Sequence, residues 1–326
     1  MRDVAQAAEV SVQTVSRVLN GKDNVSSQTR DKVNAAIETL NYHRNIAALS
    51  LVTNNSLVIG VIDFSQAPTG SSEIIRSVQR AAYARDYFVS LAHVENLSAK
   101  GVRSVISSML RQSVAGIVFV APYYEALSTI DDLDLDTPFV VVAPDRKFDY
   151  PSVSLDGTAA ARIAIDHLTA LGHKRMVHLC GPLDWVDATV TMESWYKHIQ
   201  AHSHPLFPTY VGDWTARSGY ETTLKILAET NATAIFTAND QMALGAICAV
   251  NASGLRVPED ISIIGFGDLH DAEYFSPPLT TIKGNYDSVG EASIEVLIDV
   301  INGVSRNSIS FGLELIERSS TAPPKS

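Results

Sequence analysis

Gln13 and Arg17 stand four residues apart in the stretch from Val10 to Asn20, where Val15, Val18 and Leu19 recur at the spacing of a helix's inward stripe. A helix on that spacing turns Val12, Gln13, Ser16, Arg17 and Asn20 outward together. An amide and a guanidinium one turn apart can each present paired hydrogen-bonding atoms to adenine or guanine edges, and a neighbouring valine can meet a thymine methyl. The chemistry available here is base reading in a DNA major groove by Val12, Gln13 and Arg17. Phosphate positioning would fall to the polar groups at its edges, Ser16, Asn20, Ser26 and Thr29.

Such a helix needs a scaffold, and the neighbouring residues predict one. Ser11 is placed to cap it, and a short helix over residues 3–8 precedes it across the turn Glu9-Val10-Ser11, which is helix-turn-helix punctuation. A third helix follows from Ser26, with Val33, Ala36, Ile37 and Leu40 as its apolar stripe. The plain alternative is a small helical bundle with a polar outer face.

Beyond the head, short β-branched runs alternate with helical patterns. Strands are predicted over 57–62, 88–92, 116–120, 139–142, 176–179, 234–236 and 261–265, and helices over 73–85, 101–111, 159–171, 218–228 and 241–253. Strand and helix in alternation mean parallel sheets with covered faces, and ligands in such sheets sit beyond the carboxyl ends of the strands.

Asp3-Val4-Ala5, Val10-Ser11, the run from Thr14 to Gly21, Val25-Ser26, Thr29-Arg30 and Leu40-Asn41-Tyr42 stand in an order and spacing that resembles the lactose-repressor family of bacterial transcription regulators. The resemblance continues through residues 57–61, Ala170-Leu171-Gly172-His173, Gly181-Pro182-Leu183, Gly212-Asp213-Trp214, residues 238–245 and residues 277–282, and so covers nearly the whole chain. It implies a small all-α head over residues 1–43, a hinge helix and linker over 44–56, and a bilobed α/β body over 57–326. The body's two doubly wound parallel-sheet lobes would be similar to periplasmic binding proteins, one of about 57–153 and 285–312, the other of about 156–282 and 313–326.

By the same resemblance the hinge orders on DNA, with Leu51 wedged between central base pairs and Asn45 and Ala48 beside it in the minor groove. Arg44 stands where the family usually has a proline that would preset the first turn. The implied effector cleft takes Trp214 as a stacking face and Asn239 as a donor and acceptor. Other positions depart from a sugar-binding member's pattern: Val120 replaces an asparagine, Ala143 an aspartate, Thr191 an arginine, and Gly267 an aspartate, with Asp268 beside it. A cleft of Phe64, Ser65, Ile74, Trp185, Trp214, Asn239, Asp268 and Tyr286 is therefore expected to take a sugar other than a simple galactoside, or a less hydroxylated or aromatic metabolite. Further polar partners are available in Asp63, Glu73, Asp184 and Asp187.

Composition limits the partners. The formal charge is −11, yet residues 1–58 hold six basic side chains against five acidic ones, so the body carries the negative charge and the head is close to neutral. Weak non-specific DNA binding with a modest salt slope is expected. Two cysteines far apart in sequence read as reduced packing thiols. With no charged leader and no apolar run near eighteen residues, a cytoplasmic protein without membrane contact is expected.

The H-x3-H-x-H group of His198, His202 and His204 lacks a metal-site framework, and the acidic cluster from Asp131 to Asp136 lacks the glycine a calcium loop needs. There is no nucleophile elbow, P-loop or dinucleotide fingerprint, so no cofactor and no enzyme activity are expected. The segment after Leu315 has no leucine heptads for tetramerisation, which leaves a homodimer on a two-fold operator. Met1 stands almost on the first helix, where the resemblance implies a threonine or serine cap a residue or two earlier, and losing it should cost about 1 kcal/mol. The rival reading is a soluble sugar or metabolite receptor with a vestigial head.

Overall fold

A computed structural model describes residues 1–19, 25–42, 56–64, 70–95, 98–121, 123–132, 135–143 and 148–325. The chain divides into two compact units, Met1–Ser56 and Leu57–Ser326.

The first unit holds α1 (Arg2–Ala7), α2 (Val12–Leu19) and α3 (Ser27–Thr39). Met1 occupies the N-cap of α1 with no side-chain cap bond, whereas α3 is capped by Ser26, whose hydroxyl accepts from Thr29 N–H. Val4, Ala5, Ala8, Val15, Val18, Val33 and Ala36 form the core. Leu40 departs from expectation: it is the C-cap of α3 and is exposed, because the chain leaves the helix there through Asn41, whose φ is +46°.

The second unit contains two six-stranded sheets. In the first, β1 (Val58–Asp63), β2 (Phe88–His93), β3 (Gly116–Val120), β4 (Phe139–Val142), β5 (Ser152–Leu155) and β11 (Ile309–Phe311) run parallel in the order β11-β5-β4-β3-β1-β2. In the second, β6 (Met176–Cys180), β7 (Tyr210–Val211), β8 (Ala234–Thr237), β9 (Ser262–Phe266), β10 (Thr280–Gly284) and β12 (Leu313–Ile316) take the order β12-β10-β9-β8-β6-β7, with β12 alone antiparallel. Central strands such as β3 and β8 are buried throughout, as strands covered on both faces must be.

The covering helices are α4 (Gly70–Tyr83), α5 (Ala99–Arg111), α6 (Tyr124–Asp131), α7 (Gly157–Ala170), α8 (Val186–Ala201), α9 (Ala216–Glu229), α10 (Asp240–Ala252) and α11 (Tyr286–Ile301). The chain changes lobe three times, from β5 to α7, from β10 to α11 and from β11 to β12. Helix α11 packs on α4 beside the first sheet, so residues from both ends of the body build one lobe. Residues after β12 return to the second sheet, where His173 Nε2 meets Ala322 O at 2.8 Å and Ser320 Oγ donates to Ile263 O at 2.6 Å.

Candidate DNA-reading face and effector cleft

Helix α2 is held from its start by Ser11, whose Oγ accepts from Thr14 N–H at 3.0 Å and pairs with the Thr14 hydroxyl at 2.8 Å. The turn before it passes through Glu9 at φ +54°. Val15 and Val18 are buried, while Val12, Gln13 and Arg17 are exposed on the opposite side and Ser16 is half-buried. The structure therefore brings the three expected base-reading side chains onto one open face. Of the expected phosphate anchors, Ser26 already accepts the Thr29 N–H, and its hydroxyl lies 2.8 Å from that of Thr29. Asn20, Asn45, Ala48 and Leu51 lie outside the described residues, as does Ser65 of the expected cleft.

Between the two sheets of the body lies a cavity of about 690 Å³, within the range of small-molecule sites. The structure places Ile74, Trp185, Trp214, Asn239, Asp268 and Tyr286 on its wall, together with Val120, Ala143, Thr191 and Gly267. Phe64 is corrected. It is fully buried in the core of the first lobe against Phe119, ring centroids 6.2 Å apart, because the residue after β1 turns into that core. Glu73 and Asp187 face the cavity; Asp63 and Asp184 do not line it.

Trp214 sits at φ +71°, a backbone region rarely occupied by residues with a side chain, and strain of this kind gathers at functional sites. Its ring lies so close over Gly181 that a Cβ there would overlap it. Asn239 anchors the arrangement: Nδ2 donates to Trp214 O at 2.9 Å, and Oδ1 caps α10 by accepting from Met242 N–H at 2.8 Å. The amide is thus largely engaged in positioning the tryptophan, and one N–H remains for a ligand.

Trp185 is almost wholly buried, edge-on to Trp214 at 5.1 Å. It also packs on Tyr123 of the first lobe at 4.6 Å and forms an isolated bridge with it. Tyr124 OH adds a 2.7 Å bond to Thr189. One wall of the cavity is thereby a clasp between lobes.

The charged groups are mostly paired. Asp268 lies between Arg318 at 2.7 Å and Lys283 at 3.1 Å; burial would raise its carboxyl, but these bonds outweigh it and hold it below the usual carboxylate range. Glu73 pairs with Arg76, and Asp287 with Arg80. Asp187, in the first turn of α8, opens onto the cavity and has neither hydrogen bond nor ion pair among the described residues. Asp187 is exposed, and the cavity wall beside it shifts its carboxyl upward by partial desolvation. Burial, then the nearby Asp187, Asp240 and Glu73 charges, raise the Tyr286 hydroxyl well above its ordinary value.

His178 and Phe236 form part of the floor, and sequence reasoning missed both. His178 stacks on Phe236 at 5.0 Å and on Trp195 at 5.5 Å, and neither ring nitrogen meets a partner among the described residues. Burial pulls its pKa down to about 3. In the sequence it is one polar letter inside an apolar strand, and nothing local says which face of β6 looks at a cavity. No cluster of metal-ligating side chains occurs among the described residues.

A helix-turn-helix head and a body of two parallel-sheet lobes around a cavity define a class: DNA-binding transcription regulators that respond to a small molecule. Residues 1–45 match the model of bacterial regulatory proteins of the lacI family, and residues 165–321 that of a periplasmic binding protein-like domain. The lactose operon repressor of Escherichia coli (strain K12) is 34% identical over 99% of this chain and 90% of its own length. The HTH-type transcriptional repressor PurR of Pasteurella multocida (strain Pm70) is 35% identical over 98% of each chain. The solved lac repressor dimer bound to operator and the anti-inducer ONPF superposes with a TM-score of 0.89 at 34% identity, covering 98% of both chains. The chain belongs to the lacI family of bacterial regulatory proteins. It is a ligand-responsive, DNA-binding transcription regulator, and its relatives are repressors, not enzymes.

Proposed function

We propose that two copies of this chain bind the half-sites of a pseudo-palindromic operator in the cytoplasm, with Val12, Gln13 and Arg17 reading bases and Ser16, Asn20, Ser26 and Thr29 placing the head on phosphates. A hinge around Asn45, Ala48 and Leu51 engages the minor groove between half-sites. A small molecule in the cavity, a sugar or related metabolite, shifts DNA affinity by as much as it prefers one lobe arrangement over the other. The domain limits are those of a head over 1–43, a hinge over 44–56 and a bilobed body. The exposed apolar residues Tyr83, Phe88 and Leu91, at the end of α4 and on the edge strand β2, support a dimer surface on the first lobe.

The observation that carries this reading is the open face of α2, where an amide, a guanidinium and a valine stand together over a buried stripe. Arg17→Ala tests it. Operator affinity in footprinting should fall by about 1–3 kcal/mol, the worth of a bidentate base contact, while the thermal response of the body to ligands stays unchanged. Unaltered footprints would leave the rival, a soluble receptor with a vestigial head.

A further inference from the structure

Along one side of the cavity the two lobes meet through side chains rather than through crossing strands. Tyr123 stands between β3 and α6 of the first lobe, and Trp185 between β6 and α8 of the second; they form an isolated antiparallel bridge with their rings 4.6 Å apart. Tyr124 OH reaches Thr189 Oγ1 at 2.7 Å across the same seam. Thr189 Oγ1 itself donates back into α8, to Val186 O at 3.0 Å, so here it accepts from the tyrosine. Val186 and Ala188 of α8 share one buried apolar cluster with Leu127 and Ile130 of α6. Parting the lobes at this seam would return that surface to water, which favours its closed form.

Trp185 also touches the cavity. Its N–H donates to Pro182 O at 3.1 Å, which closes the loop that carries it, and its ring meets Trp214 edge-on at 5.1 Å. Trp214 is fixed in turn by Asn239 and by its close approach to Gly181. Both tryptophans line the cavity, whereas Tyr123, Tyr124 and Thr189 lie outside its lining. The row Tyr123, Trp185, Trp214 therefore runs from the first lobe, through the seam, to the rings that an occupant would meet. Close-packed rings have little slack, so an occupant that displaces Trp185 must open its contact with Tyr123, and one that fits the closed row reinforces it.

We propose that Trp185 is a positioning residue for regulation: the seam it makes with Tyr123, latched by the Tyr124–Thr189 bond, fixes the arrangement of the lobes and with it the affinity for operator. This rests on the regulator reading above.

Two full-length variants test it. Tyr124→Phe removes the latch and leaves Thr189 bonded within α8. Amide exchange over residues 123–127 and 184–190 should become about two- to tenfold faster, the worth of one hydrogen bond in an opening equilibrium, while β6 and β8 exchange as before. The second variant joins Tyr123→Cys to Trp185→Cys, with the exposed Cys248→Ser, because partners in an antiparallel bridge stand within disulfide reach. Oxidised, it locks the seam; reduced, it has lost both rings. On the duplex that the wild-type chain protects in footprinting, the two forms should differ at least about fivefold in affinity. A contact that served stability alone would move the melting temperature and leave operator affinity unchanged. Exchange unaltered in Tyr124→Phe, a cysteine pair that does not bridge, or equal operator affinity in its two forms would overturn the proposal. A wild-type chain that protected no duplex would remove the regulator reading instead, and the exchange measurement would still decide the latch.

Discussion

Replacing His178 by leucine should change how the body responds to acid. In the folded chain the ring's pKa is pulled by burial from 6.5 to about 3, a gap of about 3.5 pH units. At about 1.4 kcal/mol per unit this is about 5 kcal/mol of stability, fully present above pH 6.5 and lost as pH falls toward 3, because the unfolded state binds the proton and the folded state does not. Between pH 7 and 4.5 the loss should be about 3 kcal/mol. Leucine has no proton to take up, so His178→Leu should abolish that part of the acid slope.

At neutral pH two opposing terms decide the sign. Two unpartnered buried nitrogens disappear, each costing about 1–3 kcal/mol where no group pairs with it, while stacking on Phe236 and Trp195 worth about 0.5–1.5 kcal/mol is lost. Per contact the first of these terms is the larger, so the variant should match or exceed the wild type at neutral pH. Urea unfolding followed by tryptophan fluorescence is the assay, since Trp185, Trp195 and Trp214 all lie in the body and the head carries none. An acid slope in His178→Leu identical to wild type would refute the burial argument for this ring.

Asp240 is fully buried, accepts from Thr281 Oγ1 and Leu269 N–H at 2.6 Å each, and is pushed by burial up to about 6. Its raised carboxyl contributes stability that is lost as pH rises from about 4 through 6, about 3 kcal/mol at about 1.4 per unit; Asp240→Asn should remove that decline in the same urea experiment. Helices α9 and α10 meet backbone to backbone at Gly219 and Gly245, where a Cβ on Gly245 would overlap the carbonyl of Ala216. Gly245→Ala should lower body stability by at least about 1–3 kcal/mol, and an unchanged melting curve would contradict the contact. Ser11→Ala removes the cap of α2 and should cost the head about 1 kcal/mol, visible as a lower melting temperature in circular dichroism at 222 nm resolved from the body transition. Non-specific DNA binding should weaken only shallowly with added salt, as a near-neutral head requires; a polybasic slope in filter binding would contradict it.

Much of the head was legible in the order of its residues. Periodicity separates Val15 and Val18 from Val12, Gln13 and Arg17, and a cap and a turn are local events read from neighbouring letters. The central strands and five body helices were legible for the same reason. Helix α11 was not expected: it lies beside α4 on the first sheet, with Val289, Ile294, Val296 and Leu297 buried and Asp287, Glu291 and Glu295 exposed. Helices α6 and α8 were not expected either, and β5, β10 and β12 are short strands at the limits of the two expected lobes.

Residue types alone therefore determined an outward polar face on the second helix of a small bundle and a body of parallel sheets, because both follow from interactions within a few turns or strands. The contents of the cavity were decided only by tertiary folding. Phe64 and Tyr286 are both aromatic residues beside an element's end, yet one enters the core and the other the cavity wall. A side chain's face depends on register and on which strand lies opposite, and a single-residue slip reverses it. The isolation of Asp187, the anchoring of Trp214 by Asn239 and the unpartnered ring of His178 arise where segments distant in sequence meet, and hydrogen-bond partners so far apart leave no periodic trace along the chain.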